Sequence, residues 1–143
     1  AYSKKPFYKD LYPVLDLIEN NNTLNLCQFN ILLIDKICEL LKINTIRRKS
    51  SLQKTSNNRT KKLIELCQIS GSEIYLSPLG SKDYLTFDKF ETLSEISLEY
   101  QKFTCRPYNQ GQLAKGSFFG GLSILDVIAN LGTKDTKEYI KNQ

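Results

Sequence analysis

From Asn44 to Ser77 the sequence runs strand, polar loop, helix, glycine, strand, and that order constrains the fold more than any other stretch. The β-branched pair Thr45 and Ile46 predicts a short strand over 44–48. Asn57 or Asn58 caps a following helix that carries Leu63, Ile64, Leu66, Cys67 and Ile69 and is closed by Gly71. Glu73-Ile74-Tyr75-Leu76-Ser77 then predicts a second strand. Two strands joined through a helix are expected to lie parallel, with a right-handed crossover.

The flanking sequence supplies helices to cover such a sheet. Phe7, Leu11, Val14, Leu15 and Ile18 recur at helical intervals, with Pro13 either kinking that helix or opening its first turn. Leu26, Phe29, Leu33, Ile34, Ile37, Leu40 and Leu41 form a stronger stripe, capped by Thr23 or Asn25. Further on, Ile96, Leu98 and Tyr100 alternate with polar residues, which predicts a half-buried strand after a helical turn around Asp88 to Leu93. Pro107, Gly111, Gly116, Gly120 and Gly121 mark a long loop over 104–121. A helix then opens at Ser123 and stops at Gly132, followed by a short terminal helix over 133–141.

At 143 residues this is the length of one ordinary domain. The expectation is a single α/β domain over 1–143, Rossmann-like, with a small parallel sheet flanked by helices. Within it, residues 1–43 are helical, residues 44–103 form a βαβ core, and residues 104–143 supply a loop and the C-terminal helices. No apolar run approaches the roughly 20 residues of a membrane helix, so a cytoplasmic protein without a membrane span is expected.

The chain has no His, which excludes Ser-His-Asp and Cys-His triads and His-ligated zinc within it. Four Cys at 27, 38, 67 and 105 show no paired spacing, so no metal is expected. Cys27, Cys38 and Cys67 sit in helical apolar patterns and read as buried thiols. Cys105 precedes Arg106 and Pro107 in an aperiodic segment, where a neighbouring cation favours the thiolate. Asp126 interrupts the apolar run Leu122 to Ile128; a carboxylate there must face solvent or be paired, and bonding a neighbouring loop is its structural role.

The net charge of +5 comes from one segment: Lys42, Arg47, Arg48, Lys49, Lys54, Arg59, Lys61 and Lys62 fall between Leu40 and Ile64 with no acidic residue among them. In parallel α/β layers ligands bind beyond the carboxyl ends of the strands. Two loops meet that description, Lys49 to Asn58 and Ser77 to Tyr84, and their hydroxyls, cations and backbone N–H groups suit a phosphate or carboxylate. A solvated basic face is the competing reading. Nucleic-acid binding has the charge it needs, but the aromatic residues are not interleaved with the basic run.

Arg59-Thr60-Lys61-Lys62-Leu63-Ile64-Glu65-Leu66-Cys67, then Tyr75-Leu76-Ser77, Gly80 and Lys82-Asp83-Tyr84-Leu85, together resemble the WbqC-like protein family. The later residues Tyr100-Gln101, Tyr108, Gln110 and Phe118, and the run Leu122-Ser123-Ile124-Leu125-Asp126-Val127-Ile128-Ala129-Asn130-Leu131-Gly132, resemble that family's closing signature. The resemblance implies a place in bacterial surface-polysaccharide gene clusters and transfer of an aminoacyl or acyl group to a sugar. It also implies correspondence to the family's C-terminal two-thirds, with a segment preceding Ala1 absent. Two departures accompany it: Pro78 stands where the family more often has Gly, and Cys105 stands near a position where it usually has His.

The combined expectation is a transferase of glycan modification that binds a nucleotide-sugar or an activated acyl donor. Ser51, Lys54 and Arg59 contact phosphate, Ser77, Gly80, Lys82 and Tyr84 line the pocket, Tyr108 and Gln110 close it, and Cys105 and Asp126 are the catalytic candidates. The alternative is a non-catalytic module for nucleic acid or for a partner in the same pathway.

Overall fold

A computed structural model describes residues 2–111 and 117–141; residues 112–116, including Gly116 of the long loop, lie outside the described residues. The chain forms two compact units. Ala1–Thr45 and Thr104–Gln143 make the first, and Ile46–Phe103 makes the second.

The first unit is helical. A tight turn over Tyr8–Leu11 leads into α1, Tyr12–Asn20, with Pro13 in its first turn, where a missing N–H costs nothing. Next comes α2, Leu26–Leu40, capped by the Asn25 side chain, which accepts the Gln28 N–H at 2.9 Å. Leu11 and Leu41 meet Ile128 and Ala129 of the C-terminal helical segment, Ile124–Lys141, in one buried cluster. That segment breaks at Gly132, whose backbone takes φ 75° and ψ 170°. A Cβ there would stand 2.8 Å from Phe7 Cδ1, so glycine is required both by its dihedral angles and by its neighbour. The Phe7 N–H donates to the Ala129 carbonyl at 3.0 Å and the Thr133 N–H to Asp10 Oδ2 at 3.2 Å, tying the two ends of the sequence together. The expected stripe on α2 is only partly used, since Leu26 and Ile34 are exposed and no α2 residue is fully buried.

The second unit contains the sheet. Helix α3, Arg59–Ser70, ends at Gly71 in the left-handed conformation (φ 65°), with the Ser72 N–H donating back to the Cys67 carbonyl. Strand β1, Ile74–Pro78, is followed by α4, Lys82–Phe87, then α5, Phe90–Leu93, then strand β2, Ser97–Gln101. The C-terminal helix of the first unit is accordingly α6. β1 and β2 are parallel, with Tyr75 opposite Leu98 and Ser77 opposite Tyr100. The face carrying Tyr75, Leu98 and Tyr100 packs on Ile64, Leu85 and Phe90, and the Tyr75 and Phe90 rings stack at 5.5 Å. Ile74 and Leu76 point the other way and are exposed.

The fold is thus mixed α/β with a two-stranded parallel sheet flanked by helices. The parallel crossover is present, but between β1 and β2 by way of α4 and α5. No strand forms over 44–48, where every residue is exposed and Ile46 reaches 81% exposure. Two β-branched residues followed by Arg47-Arg48-Lys49 offer no alternating face to bury, whereas Ile96, Leu98 and Tyr100 do. Two of the three thiols expected to be buried are not: Cys27 is exposed and Cys38 half-buried, while Cys67 is buried. Among the described residues no helix is long and apolar enough to cross a membrane.

Candidate functional site

In the second unit, α4 follows β1 after a single tight turn over Leu79–Ser81. This places Lys82, the first residue of α4, just past the strand's carboxyl end. Between α4, α5 and β2 lies a cleft of about 300 Å³, lined by Lys82, Thr86, Lys89, Glu91, Thr92 and Tyr100 over Leu85, Phe90 and Leu98. Its lining carries two lysines and one glutamate, a net positive charge that favours an anion.

Lys89 holds a left-handed backbone (φ 57°) between α4 and α5. An L-residue adopts that conformation at a cost of roughly 1–2 kcal/mol. Beside it, Asp88 accepts the hydroxyl proton of buried Thr60 at 2.6 Å and lies 3.6 Å from the Arg59 guanidinium. Arg59 is itself left-handed (φ 53°). The α4–α5 turn is therefore pinned to the start of α3.

Of the residues expected to bind the ligand, Lys82 alone lines this cleft. Ser77 is fully buried near the end of β1, and its hydroxyl has no hydrogen-bond partner. Gly80 lies in the turn before α4 and Tyr84 on α4 itself, 40% exposed. Ser51 and Lys54 are exposed in the polar segment before α3. With no strand over 44–48, that segment does not follow a sheet strand, which removes the reason for expecting an anion there. Its donors instead serve an internal carboxylate. The Ser56 N–H and hydroxyl reach Glu65 at 3.1 and 2.7 Å, and the Asn57 N–H and side-chain amide at 3.2 and 2.8 Å. The hydroxyl and amide bonds from Ser56 and Asn57 hold the Glu65 carboxyl below its ordinary pKa.

The other four expected residues lie in the first unit. Asp126, in the first turn of α6 and 4% exposed, accepts the Tyr108 hydroxyl at 2.6 Å and the Gln110 amide at 3.3 Å. The Gln110 side chain also exchanges two bonds of 2.9 Å with the Phe119 backbone, and the Gln110 backbone carbonyl accepts the Lys5 ammonium. Burial first, and then the bond to Asp126, push the Tyr108 hydroxyl far above its ordinary pKa; burial and the Asp126 charge also raise Tyr2. Asp126 thus bonds Tyr108 and Gln110 to α6, the structural role its position in an apolar run suggested.

Cys105 is half-buried. Its sulfur accepts the Gly121 N–H at 3.4 Å and lies 3.8 Å from the Tyr139 hydroxyl, which donates to the Arg106 carbonyl at 2.8 Å. With the tyrosine proton committed to that carbonyl, the thiol is the donor to the tyrosine oxygen. Arg106 stands 5.8 Å over the Tyr139 ring, and Tyr108 packs edge-on to Tyr139 at 5.4 Å. Sequence reasoning missed Lys89, Glu65 and Tyr139. Tyr139 alone had a visible signal, an aromatic residue in the short terminal helix. Among the described residues no group of three or more His, Cys, Asp or Glu is placed to hold a metal.

Comparison with known proteins adds a relationship. The sequence model of the WbqC-like protein family matches residues 1–138, nearly the whole chain; a restriction to the family's C-terminal two-thirds does not follow from that match. The uncharacterized protein Rv1507c of Mycobacterium tuberculosis (strain ATCC 25618 / H37Rv) is 27% identical over 124 residues, covering 87% of this chain. The chain spans about half of that relative's length, 52%. No solved structure matches the chain.

Proposed function

The chain belongs to the WbqC-like protein family, and on that premise we propose that it contributes the donor site of a transferase that moves an aminoacyl or acyl group onto a sugar or nucleotide-sugar. The observation that carries this reading is the cleft between α4, α5 and β2, with Lys82 and Lys89 on its lining and Leu85, Phe90 and Leu98 beneath. Its volume of about 300 Å³ is at the small end for ligand sites. It suits the anionic headgroup of an activated donor, a phosphate or a carboxylate, more than an entire nucleotide-sugar. The two ammonium groups neutralise that headgroup, and Tyr100 offers a hydroxyl and a ring face beside it.

A second role, confined to the first unit, is acylation of Cys105: its sulfur forms a thioester as the acyl–oxygen bond of an acyl phosphate breaks and phosphate leaves, while Asp126 is a positioning residue that fixes the loop bearing Tyr108 and Gln110. The Gly121 N–H donates to the sulfur at 3.4 Å. No imidazole exists in the chain to take the proton, so the thiol proton leaves with the departing phosphate.

Isothermal titration with nucleotide-sugars and with acyl phosphates tests the donor site. Lys82→Ala and Lys89→Ala are each expected to weaken binding about tenfold, in line with loss of one charge-assisted contact. Unchanged affinity in both variants overturns the assignment. Mass spectrometry after incubation with an acyl phosphate tests the nucleophile: an acyl adduct on Cys105, absent in Cys105→Ser, is expected.

A further inference from the structure

The segment Ile46 to Lys54 takes no part in the cleft or in the Cys105 cluster. It holds Arg47, Arg48, Lys49 and Lys54 and no acidic residue. Two aliphatic side chains stand out of it: Ile46 is 81% exposed and Leu52 75% exposed. Its backbone turns on itself, with the Leu52 N–H donating to Lys49 at 3.1 Å and the Gln53 N–H to Ser50 at 3.2 Å. It therefore presents side chains and not an open strand edge. A few residues on, the bonds from Ser56 and Asn57 to Glu65 fasten the chain to α3, so the segment stands on a fixed base.

We propose that this segment is a docking surface for an anionic lipid bilayer. Cations close to an anionic membrane surface attract it additively, each contributing about a fivefold factor in affinity. Exposed aliphatic side chains among those cations gain further by entering the acyl boundary, which is how peripheral proteins lie on a membrane without spanning it. A single-stranded polynucleotide draws on the same charges but binds through stacking on aromatic rings. The stretch 42–62 has no Phe, Tyr or Trp. Two aliphatic residues among Arg48, Lys49 and Lys54 also make a poor protein interface, whose core is depleted of charge. The inference rests on this segment alone and stands or falls independently of the donor site.

Sedimentation of the whole chain with vesicles tests it. Vesicles of phosphatidylglycerol and phosphatidylcholine in about a 3:7 ratio are expected to bind the protein. Pure phosphatidylcholine is not, and 1 M salt, where the screening length falls to about 3 Å, releases it. Arg48→Ala with Lys49→Ala is expected to weaken binding about 30-fold. Ile46→Ser with Leu52→Ser is expected to weaken vesicle binding about tenfold or more while leaving binding to heparin, a polyanion with no apolar phase, unchanged. All four residues are exposed, so the variants keep the fold, which circular dichroism checks. Equal binding to both vesicle types, no binding to either, or vesicle binding unaffected by loss of Ile46 and Leu52 overturns the proposal. The last of these, joined to tight binding of oligonucleotides, marks a general polyanion site instead.

Discussion

Replacing Tyr108 by Phe removes one oxygen from the first unit and leaves the ring in place. That oxygen is the shortest donor to Asp126, at 2.6 Å, and Asp126 is only 4% exposed. What remains is the Tyr2 hydroxyl, which also bonds Asp126, and the Gln110 amide at 3.3 Å, which is already engaged with the Phe119 carbonyl at 2.9 Å. A hydrogen bond to a charged group contributes about 1.5–3 kcal/mol. The edge-on contacts of the ring with Phe118 and Tyr139, at 5.3 and 5.4 Å, survive the change, so packing adds little. The variant should lose about 2 kcal/mol in urea unfolding at neutral pH, as a shift of midpoint with an unchanged slope.

The same bond sets an alkaline signature. The folded-state pKa of Tyr108 lies above the ordinary value of 10, so the unfolded chain ionises this group first. A group raised in this way contributes stability that is present below pH 10 and is lost as pH climbs beyond it. The wild-type protein should therefore weaken above pH 10 more steeply than Tyr108→Phe, with Tyr2 and Tyr75, also raised, supplying the slope that remains. A variant within about 0.5 kcal/mol of wild type, well under the cost of one charged hydrogen bond, would refute the clamp. So would an unchanged alkaline slope.

Gly132→Ala places a Cβ 2.8 Å from the Phe7 ring at φ 75°, a region open essentially to glycine, and should cost about 2 kcal/mol or more in thermal or urea unfolding. Lys89→Gly relieves a left-handed residue and should raise stability by about 0.5–1 kcal/mol while weakening donor binding in the titration; a variant that gains stability and keeps full affinity separates the strained turn from the ligand. Thiol titration with an aromatic disulfide should modify exposed Cys27 first and Cys67 last, because burial pushes the Cys67 thiol up; a fast Cys67 would show that α3 opens from its core.

Much of the helical architecture is written locally. Asn25 caps α2, Pro13 sits in the first turn of α1, Gly71 closes α3 and Gly132 breaks α6 because each supplies chemistry that its own few neighbours demand. The alternation at Ile96, Leu98 and Tyr100 announces β2 for the same reason. Strand pairing is not local. Thr45 and Ile46 have the propensity for a strand, yet β1 takes its partner from the other side, where an alternating face can be buried on Leu85 and Phe90. Helix α4 was hidden behind Pro78 and Gly80, since six residues acquire helical structure there from the burial of Leu85 and not from any periodicity.

The site divides along the same line. A lone carboxylate in the apolar run around Asp126 already signals a bonded partner. Lys89 carries no mark of its left-handed backbone, and the partners of Glu65 lie eight and nine residues upstream, beyond any helical spacing.

The second unit, Ile46–Phe103, is an insertion within the first, whose two halves are Ala1–Thr45 and Thr104–Gln143. Synthesis from the N-terminus therefore releases the sheet-bearing unit whole while half of the helical core is still unmade. At about 5–20 residues per second the closing segment arrives some seconds later. Until then Leu11 and Leu41 have neither Ile128 nor Ala129 to cover them, and Phe7 and Asp10 lack their backbone partners at Ala129 and Thr133. On the ribosome, the cleft between α4, α5 and β2 can form before the helical unit around it is complete.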